Sequence, residues 1–498
     1  MVHNKGERGC DRAMGDSRVW LSARKCILGS LKGRLQHPMN RRRFTQTLLT
    51  AGVGAVGAAT GCVARVPPHP APPPGPLPNP TNVNPANSGI EHVVVVAMEN
   101  RSFDHFLGWL PHADGIPAGL SYVDTRGVSH AVYSLDSDYT GCGHKVPNNS
   151  YGSPNLTAYD NGRMDGFLRV PGNDIYSIGY YSAAELPFLS ALAQAYTTCD
   201  HWFAPILAET FPNRMFLWAA QTDRLSNTLA ISELPTIFDS LSKAGISHRY
   251  YFGNVPYLSL WGLKYVTVSA DFDDFLSDVG SGNLPAVSFL DPKFTVLDDG
   301  LGNDDHPHSD IRNGDAFLSQ VFHAVTRGPK WSSTVLIVIF DEWGGFFDHV
   351  APPRGVAPNG LDTNLVNGAA LLGFRVPAVI ASPFTRGNNQ VDSTVYDHTA
   401  ILKLIEWRWG LSPLTARDAS PAIGNPVAKF NFSSPDTGVP SLPSPGAIRG
   451  LPCALQGLES KAVPAGAAQA PGSTEFGNLS RSQTVRDWLS RPQFKKIR

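Results

Sequence analysis

The chain has 498 residues, 42% hydrophobic and 17% charged, with 47 Gly and 41 Pro, which excludes fibrous, coiled-coil and wholly disordered classes. Forty-one Lys and Arg against 42 Asp and Glu leave a formal net charge of -1, so no global field draws in a polyanion and nucleic acid is not an expected partner. Length alone fits roughly two to three domains or one large α/β domain with insertions, and the elements below favour the second.

Residues 1–62 read as an address. N-R-R-R-F-T from Asn40 to Thr45, a small-residue apolar stretch from Thr47 to Gly61 and then Cys62 have the form of a twin-arginine export signal, too short to span a bilayer. Met39 is a more natural start than Met1. Ala59-Thr60-Gly61-Cys62 also has the form of a lipoprotein cleavage box that lipidates Cys62, the alternative being ordinary cleavage near Ala58. Either way the expected partner is the twin-arginine export machinery and the expected destination is the cell envelope, by a lipid anchor at Cys62, or secretion. Residues 63–88, Pro-rich from Val66 to Pro85, predict a semi-rigid linker.

From Gly89 short apolar runs alternate with helical periods, the pattern of buried strands in a layered α/β protein. Strands are expected at Ile90 to Met98, Leu284 to Leu290, Thr334 to Phe340 and Val376 to Ala381. Helices are expected at Leu186 to Tyr196, Asn213 to Gln221, Ile237 to Lys243, Asp315 to Arg327 and Thr399 to Trp407. Beyond Asn431 the chain turns Pro-, Gly-, Ser- and Ala-rich, so the catalytic domain is bounded at 89–435 and 436–498 is read as a loosely attached tail with one helix near Ser482 to Leu489. Outside the leader the cysteines are Cys142, Cys199 and Cys453; three pairings are open, Cys142 with Cys199 among them, and spacing does not choose. No CxxC occurs, which argues against a thiolate zinc site.

The two strongest strands end alike, in Glu99-Asn100 and in Asp341-Glu342. Ligands bind at the carboxyl ends of strands in open α/β sheets, and hard oxygen donors grouped there suit a divalent cation. In A-E-T-F-P-N-R, residues 208–214, Pro212 fits a first helical turn and sets Thr210 beside free backbone N–H groups, either as a plain N-cap or as a phosphoryl-binding hydroxyl. His306 in N-D-D-H-P-H, His349 beside Asp348 across a Gly-Gly turn, and His144 in G-C-G-H-K offer groups able to protonate a leaving alkoxide. Each alone is more often structural; together with the carboxylates they describe a phosphoryl-transfer site.

These segments, I-E-H-V-V-V-V-A-M-E-N-R-S-F-D-H-F-L-G (90–108), T-F-P-N-R (210–214), N-D-D-H-P (303–307) and D-E-W-G-G-F-F-D-H-V-A-P-P (341–353), resemble the bacterial phosphoesterase family of non-specific phospholipases C and related acid phosphatases, over roughly 89–435 and in the same order. The resemblance implies an α/β/α sandwich with a central, mostly parallel sheet of the alkaline phosphatase kind. It implies one divalent metal ion, calcium, magnesium, manganese or zinc, on Glu99, Asn100, Thr210, Asp341 and Glu342. Thr210 would be the nucleophile of a covalent phosphothreonine mechanism, with His144, His306 and His349 stabilising phosphoryl oxygens or protonating the leaving group. The implied substrate is a phospholipid, with contact to a membrane surface, or a small phosphoester; the alternatives are an acid phosphatase with the same site and a non-catalytic envelope lipoprotein. Three departures from the family pattern stand out: Glu209 before the nucleophile, Trp343 after the acidic pair, expected to narrow the mouth or add an apolar wall, and no acidic residue just before His144.

Overall fold

The structure is a computed structural model that describes residues 75–295, 302–387, 390–448, 450, 453 and 475–497. The export signal, Cys62 and residues 63–74 of the linker lie outside the described residues. The continuous apolar runs become the centre of one eight-stranded sheet. Its strands are β1 (His92–Met98), β2 (Thr197–Cys199), β3 (His248–Phe252), β4 (Ser269–Asp271), β5 (Val287–Asp291), β6 (Thr334–Phe340), β7 (Ala378–Ala381) and β8 (Val391–Asp392), in the order β8-β2-β7-β6-β1-β5-β3-β4. β1 lies parallel between β6 and β5, pairing Met98 with Phe340 and Val96 with Leu290, while β7 alone runs against its neighbours. Every residue of β1 and β6 is buried, so both faces of the sheet are covered, as a parallel sheet requires.

The covering helices are α1 (Phe103–Leu107), α2 (Pro187–Ala195), α3 (Thr210–Ala219), α4 (Ile237–Ala244), α5 (Phe272–Ser281), α6 (Ile311–Arg327) and α7 (Thr399–Trp409). α2 and α5 pack on α6, whereas α4 and α7 pack on α3. The expected mostly parallel α/β/α architecture is thus observed. The aromatics Phe103, Phe106, Tyr181 and Trp202 are all core.

The expectation of a loose tail is corrected. Phe476 stacks on Phe294 with ring centroids 3.7 Å apart, and α8 (Gln483–Leu489) buries Trp488, whose indole N–H donates to the Gly262 carbonyl at 2.7 Å. Phe494 is also buried, and Trp331 Nε1 donates to the Thr437 carbonyl at 3.0 Å. A low-complexity composition hid a few widely spaced bulky anchors, which are enough to dock a segment when each fills a core site. The disulfide joins Cys142 to Cys453, and Cys199 is free and buried. Cys199 belongs to a sheet strand, where its side chain is enclosed by core, so pairing with Cys142 does not occur.

Candidate active site

β1 and β6 are in register, so their carboxyl-terminal turns begin side by side and the chain must satisfy two sets of backbone groups in one place. Asp341 N–H donates to the Met98 carbonyl at 3.0 Å. Asp341 Oδ1 then accepts from the backbone N–H of Asn100 at 3.0 Å and of Glu342 at 2.7 Å. Asn100 takes a left-handed φ of 55°, which asparagine tolerates better than most residues. A Cβ on Gly344 would meet the Asn100 carbonyl at 2.0 Å, so only glycine lets the second turn pass the first. Glu342 is pinned through both oxygens, by Gly344 N–H at 2.7 Å and by the Asn149 side-chain amide.

α3 delivers Thr210 to this junction. The N-cap is Glu209, so Thr210 is the first helical residue and not the cap. Its hydroxyl donates to Asn100 Oδ1 at 3.2 Å. The Glu209 carboxylate turns away, accepting from Asn227 N–H at 2.7 Å, while Asn227 Oδ1 accepts from Phe211 N–H at 2.8 Å. One helical turn beyond Thr210, Arg214 faces the same point. It pairs with Glu99 at 2.8 Å, Asp291 at 2.8 Å and Asp341 at 3.1 Å, with all four side chains buried. Burial pushes the Asp291 and Asp341 carboxyls up against the pull of Arg214. Burial would lower the guanidinium, and Glu99 foremost among the acids raises it instead.

Three buried carboxylates, Glu99, Asp291 and Asp341, therefore share one buried guanidinium, and a fourth, Glu342, is buried next to Asp341 in the chain. Excess charge of that sign in a dry junction demands a cation, and the carboxylate, amide and hydroxyl oxygens present are hard donors. Glu99, Asn100, Thr210, Asp341 and Glu342 offer oxygen donors of the class a divalent ion takes.

The same two turns carry a second network. Arg375, fully buried, binds Asp104 Oδ1 at 3.0 Å and Asp348 Oδ1 at 2.9 Å, and Asp104 Oδ2 accepts from His349 Nδ1 at 2.7 Å. Among the described residues Asp104, Asp348 and His349 form a group whose donor atoms lie within 4.8 Å of one another. Arg375 and His349 already neutralise it, so we read it as a frame that orients His349 and not as the cation site. Burial would lower the His349 imidazolium, and Asp104 holds it above its usual value.

The other histidines reach the junction by their loops. Glu99 N–H donates to the Asp304 carbonyl at 2.7 Å, and Asp304 Oδ1 accepts from His306 N–H at 3.2 Å. His144 shares a loop with Asn149, the partner of Glu342. The missing acid near His144 comes from a distant segment: Asp174 Oδ1 lies 3.4 Å from His144 Nδ1 and raises the imidazolium. Tyr176 stacks beneath the His144 ring at 5.2 Å. Glu99, Asn100, Thr210, Asp341 and Glu342 thus share one bonded cluster, the loops that carry His306 and His144 are tied to it through Asp304 and Asn149, and His349 belongs to the second network. The expectation for Trp343 is corrected: it is fully buried against Phe374, ring centroids 4.8 Å apart, and lines no mouth. Sequence reasoning also passed over Arg214, Asp291, Asn149, Asp174 and Arg375; the four-residue spacing from Thr210 was the one available signal, for Arg214.

A helix-terminal hydroxyl backed by anionic oxygens and approached by histidines is the apparatus of a hydrolase of phosphoric esters. Comparison supplies the family: residues 90–412 match the model of the Phosphoesterase family, and the chain belongs to it. Non-specific phospholipase C6 of Arabidopsis thaliana is 31% identical over 390 residues, covering 71% of this chain and 74% of that protein. Phospholipase C A of Mycobacterium tuberculosis is 29% identical over 439 residues, covering 73% and 82%. Among solved structures, a protein of the alkaline phosphatase superfamily from Vibrio parahaemolyticus aligns over 76% of this chain and 78% of its own at 10% identity, with a TM-score of 0.34. That superposition is too loose to argue from, and the fold class rests on the sheet itself.

Proposed function

We propose that this phosphoesterase is an exported phospholipase C, cleaving the glycerol side of a phospholipid to diacylglycerol and a phosphorylated head group. The observation that carries the reading is the Thr210 hydroxyl on Asn100 Oδ1, at the edge of the over-charged acidic cluster; the phospholipase C names of its relatives supply the substrate class. Export rests on the form of residues 1–62.

Glu99, Asn100, Thr210, Asp341 and Glu342 would hold a divalent cation, which when bound favours the ionised Thr210 hydroxyl and offsets phosphoryl charge. Thr210 Oγ1, its proton released to solvent, forms a bond to phosphorus as the bond from phosphorus to the glycerol oxygen breaks, and that oxygen takes a proton from a histidine. His144 and His349, whose imidazolium forms Asp174 and Asp104 favour, hold the phosphoryl oxygens. Water then cleaves the phosphothreonine, releasing the phosphorylated head group and restoring the hydroxyl.

The test feeds the full chain phosphatidylcholine and a phosphomonoester, with and without chelator, and repeats both with Thr210→Val. Chelator-sensitive release of phosphocholine that disappears in the variant is the expected result. Turnover of the monoester alone would move the protein to the acid phosphatases, and activity surviving in Thr210→Val would overturn the covalent mechanism.

A further inference from the structure

Asp114 follows α1, and its backbone is pinned. Its N–H donates to Asp200 Oδ2 at 2.8 Å, and its carbonyl accepts from Arg375 Nη1 at 2.7 Å. The side chain is 49% exposed and stands between two imidazoles, with Oδ1 at 3.1 Å from His349 Nε2 and Oδ2 at 3.3 Å from His201 Nε2. His349 therefore carries a carboxylate on each ring nitrogen, and the two differ in kind. Asp104, on Nδ1, is buried and locked by Arg375. No guanidinium bonds the Asp114 carboxylate, which can rotate about its own side chain while the backbone stays fixed.

Only Nε2 of His349 is thus able to turn to a ligand, and a phosphoryl oxygen that bonds there needs the seat that Asp114 Oδ1 holds. We infer that Asp114 is a placeholder, a positioning residue that occupies the phosphoryl seat on His349 and yields it to substrate by swinging off Nε2 while it keeps its bond to His201. The inference rests on the reading above that His349 holds the phosphoryl group. It has a clear electrostatic logic: one anion replaces another beside Nε2, so the imidazolium never faces an empty site, and the displaced carboxylate keeps its hydrogen bond to His201.

The charged groups facing His349 are Asp104, Asp348 and Arg375 from the buried side and Asp114 from the open side. Burial would raise the Asp114 carboxyl, but His201 and His349 outweigh it and hold it low, so it is ionised wherever the imidazoles titrate.

Asp114→Asn keeps the shape and removes the competing charge. While His349 stays protonated, KM for the phosphoester and the inhibition constant of inorganic phosphate should both fall, by about twofold to fivefold for a half-exposed pair, with kcat little changed. At higher pH the order should reverse, because the imidazolium has lost one supporting anion and deprotonates earlier; the two KM curves cross. His201→Ala removes the refuge and should raise KM by a similar factor, and that rise should vanish in the Asp114→Asn background. Curves that never cross, or a His201→Ala effect that persists without the carboxylate, would overturn the inference. His349→Ala separates the two levels. If it leaves phosphate inhibition unchanged, the phosphoryl role of His349 falls and the placeholder with it; if it weakens inhibition while Asp114→Asn does nothing, the placeholder alone falls.

Discussion

Two buried arginines organise the same pair of strand ends, and they leave different residues of charge. Arg214 stands among Glu99, Asp291 and Asp341, with Glu342 beside them. Arg375 stands between Asp104 and Asp348, with His349 completing the balance. The first cluster is over-supplied with anions and has the Thr210 hydroxyl at its edge. The second is near neutral and presents one imidazole. The contrast teaches that closely spaced carboxylates are not in themselves a cation site; what matters is the charge left after the buried cations are counted.

The sharpest way to break this distinction is to measure metal content. Asp341→Asn should lose the bound divalent ion and nearly all turnover, a larger loss than the about 10–100-fold cost of removing a partner behind a ligand, whereas Asp348→Asn should keep its stoichiometry by elemental analysis. Metal lost from Asp348→Asn instead would exchange the roles of the two networks. Next in size, Arg375→Met leaves Asp104 and Asp348 buried without their cation, and a urea melt should show a loss of about 3–5 kcal/mol with metal content unchanged.

Smaller effects follow from the imidazoles. His349 has its folded value raised, so its pairing with Asp104 contributes stability that is fully present below about pH 6.5 and is lost as pH rises through the raised folded value. Asp104→Asn should flatten that dependence in urea midpoints taken across the range and should pull the basic limb of kcat to lower pH. The smallest shift is expected at His144, where Asp174→Asn should move the same limb down less, because that pair is half exposed.

The central sheet was legible because β1 and β6 are seven-residue apolar runs with no competing period. β3, H-R-Y-Y-F, and the three-residue β2 and β4 were not, since mixed or very short strands are set by their neighbours. The catalytic turns were legible from residue type at strand ends, and the family resemblance brought Thr210, His306, His349 and His144 into one picture. Their partners were hidden for a spatial reason: Asp174 serves His144 from 30 positions away, and Arg375 serves Asp104 across 271, a pairing no local pattern records. Arg214 stood in plain view within the T-F-P-N-R segment, but a helix-face arginine carries no mark of burial. The tail misled because composition averages over its few anchors.

The stack of Phe476 on Phe294 has a consequence in time. Both rings, with that of Tyr257, lie against the Arg214 guanidinium, at 5.8, 4.9 and 5.8 Å. Phe476 is made some 60 residues after the family match ends at 412, when the sheet and its helices have already left the ribosome. The backing of the acidic cluster is therefore completed by a late arrival, and a chain halted near 412 would carry every candidate site residue while leaving Arg214 open on one face.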